Sequence, residues 1–548
     1  MEPRCSKSHM DCRAFPGPSS IKIEDLGKDI PLEASPHQEE NKPSADKGKA
    51  IAASSVRLKT YQRRVSEYQK LQCANNYFKA AYQEVMRMAE EAGTWVRMKP
   101  GLGSLDDIVN EFQTPALPGK KLESSVATAV IPNVRASEMV TMMMNVNKNW
   151  SKSLFPIVNY GEEYTPRRIL QHLRNTDTAI KGVVQVYAEL QLPTTSVPTR
   201  YFDFFRYVKE IMKSIYIVVD ISSHYLGDGS ANCNSRKRPS GVIIRERGPL
   251  DCEIICVENV EVDEPRENMY SSKTSSNFAF CANHWISTLL WKLRRDRSTF
   301  IDVKIDLHHS AGDYLLALTR SMKHFFMECF SEHPNEDLLS VLTNAEDPIR
   351  LLHNKTLEEF IGYVGLNSFH IQAKPLSVFQ FLMKKDLQLQ FRSTSNSDTE
   401  EEPEELFKFI TDDKSNTISL HRKKVEEEAR YCLQEATRDE YCSFILSKLI
   451  NEDHVNFNIV SGVQSIYQKG DDRVLDTVTS GFAITPDGPG GLQCDGSLVT
   501  FLVQLHYDRT EGPVTLDTVR EDFLSDLIEI IRELKEELVG EKEDMVVS

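Results

Sequence analysis

No apolar run in the 548-residue sequence approaches the roughly 20 residues that a helix needs to cross a bilayer. The first residues, MEPRCSKSHMDCRAFPG, also lack the apolar stretch of a secretory signal peptide, so we expect no secretion signal. What is present is the composition of a soluble globular protein, with 40% hydrophobic and 27% charged residues. At about 150 residues per domain, the length predicts about three structural units.

The sequence also lacks an excess of basic residues. Its formal net charge is −16, whereas a protein that binds nucleic acid usually carries a basic surface. This balance argues against non-specific DNA binding as the main activity, and we expect no direct, sequence-specific binding to duplex DNA. One basic segment, SRKRP at 235–239, predicts either a nuclear localisation signal or a solvated loop between strands.

Cysteine is sparse and shows no ligand or disulfide pattern. There are 11 cysteines and no C-x-x-C pair, and Cys252 and Cys256 lie on the same face of one predicted strand. Without a secretion signal, we expect reduced thiols that pack as small hydrophobic side chains. His308 and His309 have no acidic or cysteine ligand at helical spacing beside them, so no metal site is predicted.

The sequence lacks a recognisable catalytic arrangement. Nucleophilic catalysis needs a nucleophile with a base beside it, and no such spacing is visible. The glycines of PDGPGG, at 488, 490 and 491, lack the Gly-Lys-Ser/Thr of a phosphate loop and predict a tight turn. We therefore predict no catalytic residues and no cofactor.

Composition divides the N-terminal part of the chain into a tail and a helix. Residues 1–54 are rich in Pro, Ser, Lys and Glu without a sustained apolar period, which predicts a disordered tail. Residues 56–91 have a helical composition and begin with an apolar seam that polar residues then interrupt. The seam predicts either a short coiled coil between two chains or a helix packed on the next domain. Its members are Leu58, Tyr61, Val65 and Tyr68, and the interrupting residues are Gln72 and Asn75.

Two alternating segments predict strands with different faces. Residues 183–192 have one wholly apolar face, formed by Val184, Val186, Ala188, Leu190 and Leu192. Residues 200–208 place Arg200, Phe202, Phe204, Arg206 and Val208 on one face. Arginines among large aromatic side chains fit neither a dry core nor a water-facing surface. The second strand is therefore predicted to form the wall of a different environment.

The remaining segments alternate strands with amphipathic helices. Helices are predicted over 135–150 and after the candidate N-cap residues Ser275, Ser276 and Asn277. In the second half, residues 368–385 predict a strand that leads into a helix, and residues 393–405 predict a disordered acidic loop. Two helices carry apolar stripes: Phe278, Ala282, Trp285, Leu289 and Leu293 in the first half, and Val519, Phe523, Leu527, Ile530, Leu534 and Leu538 at the end. Strands followed by a long amphipathic helix in each half predict an α+β protein.

Many separate segments, in order along the chain, carry a family resemblance. They include MVTMMMNVNKNWSKSLFPIV, KGVVQVYAELQLPTTSVPTRYFDFFRYVKE, SRKRPSGVIIRE and FAFCANHWISTLLWKLRR. These segments resemble the START lipid-binding domain of plant class IV homeodomain-leucine zipper proteins. CLQEATRDEY and TSGFAITPDGPGG resemble the START-associated domain that follows in that family. The resemblance covers about residues 78–545 and implies a START domain over 78–297 and a START-associated domain over 305–545.

One part of the family pattern is missing from the sequence. There is no Trp-Phe-x-Asn-Arg recognition helix, since the tryptophans are Trp95, Trp150, Trp285 and Trp291. The resemblance therefore implies a relative of transcription regulators that lost its DNA-binding homeodomain. It also implies location in the nucleus, with the cytoplasm as the alternative, and a homodimer or a heterodimer with related proteins.

The resemblance implies a helix-grip fold, in which a curved antiparallel sheet wraps a long C-terminal helix and leaves a cavity. A lipid or sterol is the ligand that such a cavity would take, with apolar walls and a few polar groups for its headgroup. The residues expected to bind this hydrophobic small molecule are Val184, Val186, Ala188, Glu189, Leu190, Arg200, Phe202, Phe204, Arg206, Glu258, Trp285 and Leu289.

The two arginines leave alternatives open. Arg206 is expected either to point into the cavity, paired with Glu189, Glu258 or a ligand headgroup, or to lie at the sheet edge with Arg200 and reach solvent. Three functions follow: a non-catalytic lipid- or sterol-binding regulator, a regulator that acts through protein partners without a ligand, and, more remotely, a helix-grip enzyme.

Overall fold

The structure is a computed structural model that describes residues 71–540 with internal gaps. The longer gaps are 95–105, 147–153, 227–232, 331–337, 343–348, 355–359, 392–401, 411–415, 461–478 and 509–513, and a few shorter gaps occur elsewhere. The predicted tail 1–54 and the predicted seam from Leu58 to Tyr68 lie outside the described residues. The whole described part belongs to one compact unit, Glu67–Ser548.

The first half of the described chain contains an eight-stranded sheet and six helices. The helices are α1 (71–91), α2 (Asp106–Phe112), α3 (Ala136–Met144), α4 (Arg167–Thr176), α5 (Ser271–Ser275) and α6 (Ala282–Arg295). The strands are β1 (Lys120–Ile131), β2 (Val158–Tyr164), β3 (Ile180–Leu190), β4 (Arg200–Met212), β5 (Ile215–Ser222), β6 (Arg236–Lys237), β7 (Ser240–Glu246) and β8 (Cys252–Asp263). They pair antiparallel in the order β1-β8-β7-β5-β4-β3-β2, and β6 also pairs with β8.

Helices cover both faces of this first sheet, and β4 shows the consequence. Phe202, Phe204 and Val208 pack in a core with α3 and α6, which we call the inner core. Phe205 and Tyr207 point to the other face and pack in an outer core with α1. Successive side chains of a strand point to opposite faces, so a strand with aromatic residues on both faces fits a sheet buried on both sides.

The described part of the second half contains a ten-stranded sheet and three α-helices. The helices are α7 (Ala311–Glu328), α8 (Pro375–Gln390) and α9 (Leu516–Leu538). The strands are β9 (Thr299–Ile301), β10 (Leu338–Leu342), β11 (Arg350–Asn354), β12 (Phe360–Ile371), β13 (Glu404–Ile410), β14 (Asn416–Val425), β15 (Glu428–Arg438), β16 (Ser443–Ile450), β17 (Ser480–Pro486) and β18 (Ser497–Asp508). The antiparallel order is β10-β11-β12-β18-β17-β16-β15-β14-β13-β9.

This second sheet is also covered on both faces. Helix α7 packs in one core with Phe444 and Leu446 of β16. Helices α8 and α9 pack in another core with Ile445 of the same strand, and α9 contributes most of its predicted stripe. Two antiparallel sheets with helices packed on them confirm the predicted α+β class.

A glycine occupies the same kind of position in both sheets, after a serine near the start of β7 and of β17. A Cβ atom at Gly241 would lie 2.1 Å from the carbonyl oxygen of Val218 on β5. A Cβ atom at Gly481 would lie 2.0 Å from the carbonyl oxygen of Ile445 on β16. The two strands approach so closely at these points that a side chain has no room, which explains the glycines.

Three element predictions need correction. Within the predicted helix 135–150, the observed helix is Ala136–Met144 and ends before Asn145, and residues 147–150 lie outside the described part of the chain. The helix predicted after Ser275–Asn277 begins only at Ala282, because Asn277 adopts a positive φ of 62° that ends the short α5 turn, and Cys281 occupies the N-cap position. Of the predicted acidic loop 393–405, residues 393–401 lie outside the described residues, and Glu404 and Glu405 belong to β13.

Candidate ligand site

A small pocket lies between the inner face of the first sheet and helix α6. Its volume is about 30 Å³. Apolar side chains form most of the wall, and the side chains of two acidic residues and one arginine enter it from the sheet. The lining residues are Met143, Leu154, Arg206, Val218, Asp220, Gly241, Val242, Ile254, Cys256, Glu258, Trp285, Ile286 and Leu289.

Arg206 and Asp220 form a buried bidentate ion pair on neighbouring strands. Their Cα atoms are register partners of β4 and β5. Arg206 Nε donates to Asp220 Oδ1 at 2.7 Å, and Nη2 donates to Oδ2 at 2.8 Å. Arg206 Nη1 also donates to the carbonyl oxygen of Met143 at 2.8 Å, which ties the end of α3 to the sheet. A two-bond guanidinium–carboxylate pair holds both side chains in one orientation.

Lys237 and Glu258 form a second buried ion pair next to the first. Lys237 Nζ donates to the Glu258 carboxylate at 3.0 and 3.2 Å and lies 3.4 Å from Asp220 Oδ2. The ammonium group also lies 5.3 Å from the ring centroid of Phe204 and 5.4 Å from that of Trp285. Aromatic faces and carboxylates both stabilise a desolvated cation, so Lys237 remains charged although only 1% of the residue is exposed.

The pKa shifts show how the four charges depend on one another. Burial raises the pKa of Asp220, but the nearby charges of Arg206 and Lys237 outweigh it and lower the pKa. Burial lowers the pKa of Lys237, but Glu258 and Asp220 outweigh it and raise the pKa. For Glu258 burial dominates and raises the pKa, although Lys237 opposes the change. Two cations and two anions sum to zero charge at the base of the pocket.

Arg200 lies outside this group of charges. It forms a bidentate ion pair with Glu123 of β1, with distances of 2.8 and 3.1 Å. Its guanidinium carbon also lies 4.0 Å from the ring centroid of Phe280. Arg200 is buried, so its side chain does not end in solvent. It is also not one of the residues that line the pocket.

The structure separates the predicted ligand-binding residues into three groups. Arg206, Glu258, Trp285 and Leu289 line the pocket. The aliphatic residues of β3 and the two phenylalanines of β4 are buried in the inner core without lining it. That second group consists of Val184, Val186, Ala188, Leu190, Phe202 and Phe204. Arg200 and Glu189 lie elsewhere, and whether any of these residues binds a ligand stays a prediction.

The two carboxylates predicted to pair with Arg206 were wrong, whereas its contact with a ligand headgroup stays a prediction. Glu189 pairs across the strands with Tyr201, so its side chain points to the sheet face opposite to that of Arg206. Glu258 is close to Arg206 but forms its ion pair with Lys237. The partner of Arg206 is Asp220, whose presence in the apolar segment IYIVVDIS was the available signal.

The basic segment 235–239 is neither a solvated loop nor an exposed signal. Lys237 and Arg238 are almost completely buried. Arg238 pairs with Glu261 at 2.9 Å and donates to the carbonyl oxygen of Phe112 at 2.8 Å. Strand β6 ends at Lys237, and Arg238 follows it directly. Both side chains lie inside the domain, so these basic residues form internal ion pairs. Sequence patterning had no means to show this burial.

The described residues contain neither a cluster of metal-ligating side chains nor a helix suited to span a membrane. No group of three or more His, Cys, Asp or Glu side chains within the described ranges is arranged to hold a metal ion. Among the helices described between residues 71 and 540, none is both long enough and apolar enough to cross a membrane.

Family models match two consecutive parts of the chain. Residues 76–290 match the START domain, and residues 310–536 match the PDF2-like C-terminal domain. The first match contains the pocket and its charged base, and the second contains most of the ten-stranded sheet.

Related proteins of known sequence carry homeobox-leucine zipper names. The homeobox-leucine zipper protein HDG3 of Arabidopsis thaliana is 27% identical over 426 residues, covering 73% of this chain and 56% of the relative. GLABRA 2 of the same species is 22% identical, covering 70% of this chain and 52% of the relative. ROC4 of Oryza sativa is 24% identical, covering 58% and 42%. The chain thus spans about half the length of the curated relatives that it matches.

Solved structures of human START proteins show a weaker likeness. Human StAR-related lipid transfer protein 5 is 10% identical and matches 40% of this chain and 98% of that chain, with a TM-score of 0.25. Human STARD10 is 15% identical and matches 36% and 80%, with a TM-score of 0.23. The family models and the relatives carry the assignment: the chain is a START-domain protein with a PDF2-like C-terminal domain, related to the class IV homeodomain-leucine zipper proteins.

Proposed function

We propose that this chain is a non-catalytic regulatory protein whose START domain binds a lipid or a sterol. The observation that carries the proposal is the START match over residues 76–290, together with a pocket of mixed character inside that match. Apolar walls suit an acyl chain or a ring system, and a few convergent polar groups suit a headgroup.

The charged base of the pocket would orient the ligand. Arg206 and Lys237 each have an anionic partner already, so a headgroup with a hydroxyl or phosphate would have to share those partners. Buried charges are tolerated only when they are paired, and an incoming polar group must keep every charge paired. These paired charges therefore favour a headgroup that both donates and accepts hydrogen bonds, such as a sterol hydroxyl.

The volume of the pocket sets a condition on binding. About 30 Å³ holds one water molecule, whereas pockets for drug-sized ligands measure roughly 300–1,000 Å³. The sheet strands are held in register by their hydrogen bonds, so the expandable side of the pocket is the one formed by α6, α3 and Leu154. We therefore propose that ligand entry moves at least one of these elements away from the sheet.

The same small volume favours a second candidate function. A START domain whose interior is filled by its own side chains and whose buried charges compensate one another would be stable without a ligand. In that case the chain would regulate through protein contacts made by its surface. The two candidates differ in one measurable property, which is whether the purified protein takes up a lipid.

The relatives suggest the setting in which such a regulator would act. Because they are named homeobox-leucine zipper proteins, we propose a role in transcription regulation in the nucleus and association with related chains. The chain spans only about half of each relative's length, so this role and this association are proposed for it by analogy with the longer relatives.

Native mass spectrometry of the full chain after incubation with a sterol mixture and, separately, with a phospholipid mixture tests the function. We expect one bound molecule per chain, retained under gentle ionisation. Absence of any added mass with either mixture would reject the lipid-binding proposal in favour of the partner-based one.

A matched pair of variants identifies the site. Val218 of β5 lines the pocket, and its neighbour Val219 packs on the opposite face in the outer core. Val218→Phe and Val219→Phe each overpack a buried position, at a cost of about 1–3 kcal/mol in the free energy of unfolding. Only Val218→Phe is expected to abolish the bound lipid. Equal loss of lipid in both variants would show that general destabilisation, rather than pocket filling, caused the effect.

A further inference from the structure

Helix α6 separates the pocket from the second half of the chain. Trp285, Ile286 and Leu289 line the pocket on one side. Other α6 side chains contact residues of the second sheet. The helix that would have to move for the pocket to grow is therefore also a packing element of the C-terminal domain.

The turn between β15 and β16 holds the N-terminal end of α6. Tyr441 is at its tip, and its ring stacks on His284 with the centroids 4.4 Å apart and the planes 12° apart. The ring also stacks on Phe278, with the centroids 4.5 Å apart. Asp439 Oδ1 accepts hydrogen bonds from the backbone N–H groups of Tyr441 and Cys442, both at 2.7 Å. The turn is thus preorganised to place the tyrosine ring.

Lys273 of α5 adds a polar contact at the same place. Its Nζ donates to the carbonyl oxygen of Tyr441 at 2.9 Å, and the residue is completely buried. A desolvated ammonium group that loses this acceptor is destabilised unless water replaces it. Separation of the turn from α5 and α6 therefore exposes two aromatic stacks and releases a buried cation in a single event.

The C-terminal end of α6 is held by strands β14 and β15. Arg295 Nη1 pairs with Glu435 Oε1 at 2.6 Å, and Lys323 of α7 lies 3.4 Å from the same oxygen. Trp291 Nε1 donates to Asn416 Oδ1 at 2.5 Å, and the Lys323 ammonium lies 4.0 Å from the Trp291 ring centroid. Arg295 is in the last turn of α6, where the helix dipole also favours a cation.

The chain itself ties this end of α6 to the second sheet. Helix α6 ends at Arg295, and β9 begins at Thr299 and pairs with β13. Three residues between the helix and the strand leave little freedom for the helix end. Outward movement of α6 is therefore expected to begin at its N-terminal end, beside Tyr441.

We propose that the C-terminal domain acts as a latch on α6, with the Tyr441 turn as its releasable part, so that opening of the START pocket requires release of this turn. The latch joins two equilibria, pocket opening and turn docking, through one helix. A ligand that binds the open pocket would weaken turn docking. A partner that captures the free turn would strengthen ligand binding, and the ligand would strengthen binding of that partner by the same factor. This second, ligand-dependent step rests on the proposed lipid-binding function, whereas the latch itself does not.

Amide hydrogen exchange of the full chain tests the latch without any ligand. Tyr441→Ala removes both stacks, and Tyr507→Ala is the matched control, because Tyr507 lies in the same domain and bonds Asp522 of α9 instead. In Tyr441→Ala we expect amides of 282–295 to exchange about tenfold faster or more, since two aromatic pairs are lost. The amides of β8 should keep their rates, and the control should match the wild type. Unchanged exchange of 282–295 in Tyr441→Ala would overturn the latch.

The wild-type protein supplies a second measurement if Tyr441→Ala fails to fold. A shared opening predicts that the amides of 282–288 and those of 441–442 have protection factors equal within about threefold. Protection factors that differ by a hundredfold would also overturn the proposal.

Uptake of a fluorescent probe separates the latch from the lipid-binding function. The probe is a nitrobenzoxadiazole-labelled sterol presented in phosphatidylcholine vesicles. Faster uptake by Tyr441→Ala than by Tyr507→Ala supports both proposals. Faster exchange without uptake by any variant keeps the latch and rejects sterol binding. Faster exchange with equal uptake by all variants rejects α6 as the moving wall and indicates entry beside α3.

Discussion

Asp386 of α8 is a carboxylate enclosed by the core of the second domain. The residue is 1% exposed, and its Oδ2 accepts hydrogen bonds from Gln434 Nε2 at 2.8 Å and from the Ser447 hydroxyl. Burial raises the pKa of Asp386 to about 6, against the opposing effect of the hydrogen bonds from Ser447 and Gln434. Both of these hydrogen-bond partners are neutral, in contrast to the charged partners of the carboxylates beneath the START pocket.

This raised pKa predicts a fall in stability as the pH rises. In the unfolded chain the carboxyl group loses its proton near pH 3.8, and in the folded protein it does so only near pH 6. Between these values the folded state binds more protons, so the free energy of unfolding decreases with pH, by about 3 kcal/mol in total. Asp386→Asn keeps an oxygen acceptor and should lose this decrease. Urea denaturation at pH 4 and pH 7 measures it.

The exposed Asp495 offers the control for this measurement. Asp495→Asn should follow the wild-type pH dependence, because this substitution changes a surface side chain and leaves Asp386 and its hydrogen bonds in place. A variant Asp386→Asn that still loses stability from pH 4 to pH 7 as steeply as the wild type would show that other groups cause the slope.

At the scale of elements, the points where neighbouring strands approach most closely are those that tolerate an added side chain least. Strands β5 and β7 meet at Gly241, which also lines the pocket, and strands β16 and β17 meet at Gly481. In both sheets the missing side chain lets a backbone carbonyl of the adjacent strand occupy the space of a Cβ atom.

Gly241→Ala should therefore destabilise the START sheet. The added methyl group would lie 2.1 Å from the carbonyl oxygen of Val218, so β5 and β7 must separate locally. We expect a loss of about 1–3 kcal/mol or more in the free energy of unfolding, measured by urea denaturation. Gly248→Ala, in the turn after β7, meets nothing within 4 Å and should change stability by less than about 0.5 kcal/mol. Equal effects of the two substitutions would contradict the steric explanation.

At the scale of the whole molecule, the START domain and the C-terminal domain share buried charges. Glu435 of β15 is the centre of this shared group, since both Arg295 and Lys323 lie within 3.4 Å of its Oε1 atom. Burial lowers the pKa of Lys323 to about 8, although Glu435 opposes the change. Inter-domain contacts of this kind make the two domains stabilise each other more than flexibly linked domains do.

Because of this interface, we expect the two domains of the wild-type chain to unfold in one calorimetric transition. Glu435→Gln leaves two buried cations without their carboxylate, which weakens the interface strongly, and the transition should then divide into two. Differential scanning calorimetry of both proteins makes the comparison. Two transitions already present in the wild type would mean that the domains are stable independently of their contacts.

Much of the architecture was predictable from local sequence. The alternation in β4 and the stripe of α9 are properties of neighbouring residues, and hydrophobic periodicity records them directly. Element ends were less predictable: α6 begins later than expected because Asn277 takes a left-handed conformation that its sequence context did not reveal. The candidate pocket residues Arg206, Glu258, Trp285 and Leu289 were also within reach, through the family resemblance and strand parity.

The sequence by itself determined which segments form strands or helices and which face of each is apolar, because these properties depend on residues a few positions apart. Tertiary structure alone decided that Arg206 pairs with Asp220, that Lys237 is buried beside Glu258, and that Tyr441 stacks on α6. The first contact depends on strand register, which a shift of one residue would change. The contact between Tyr441 and His284 joins residues 157 positions apart in different domains. Periodic patterns in a sequence relate only neighbouring residues, so they cannot predict such a contact.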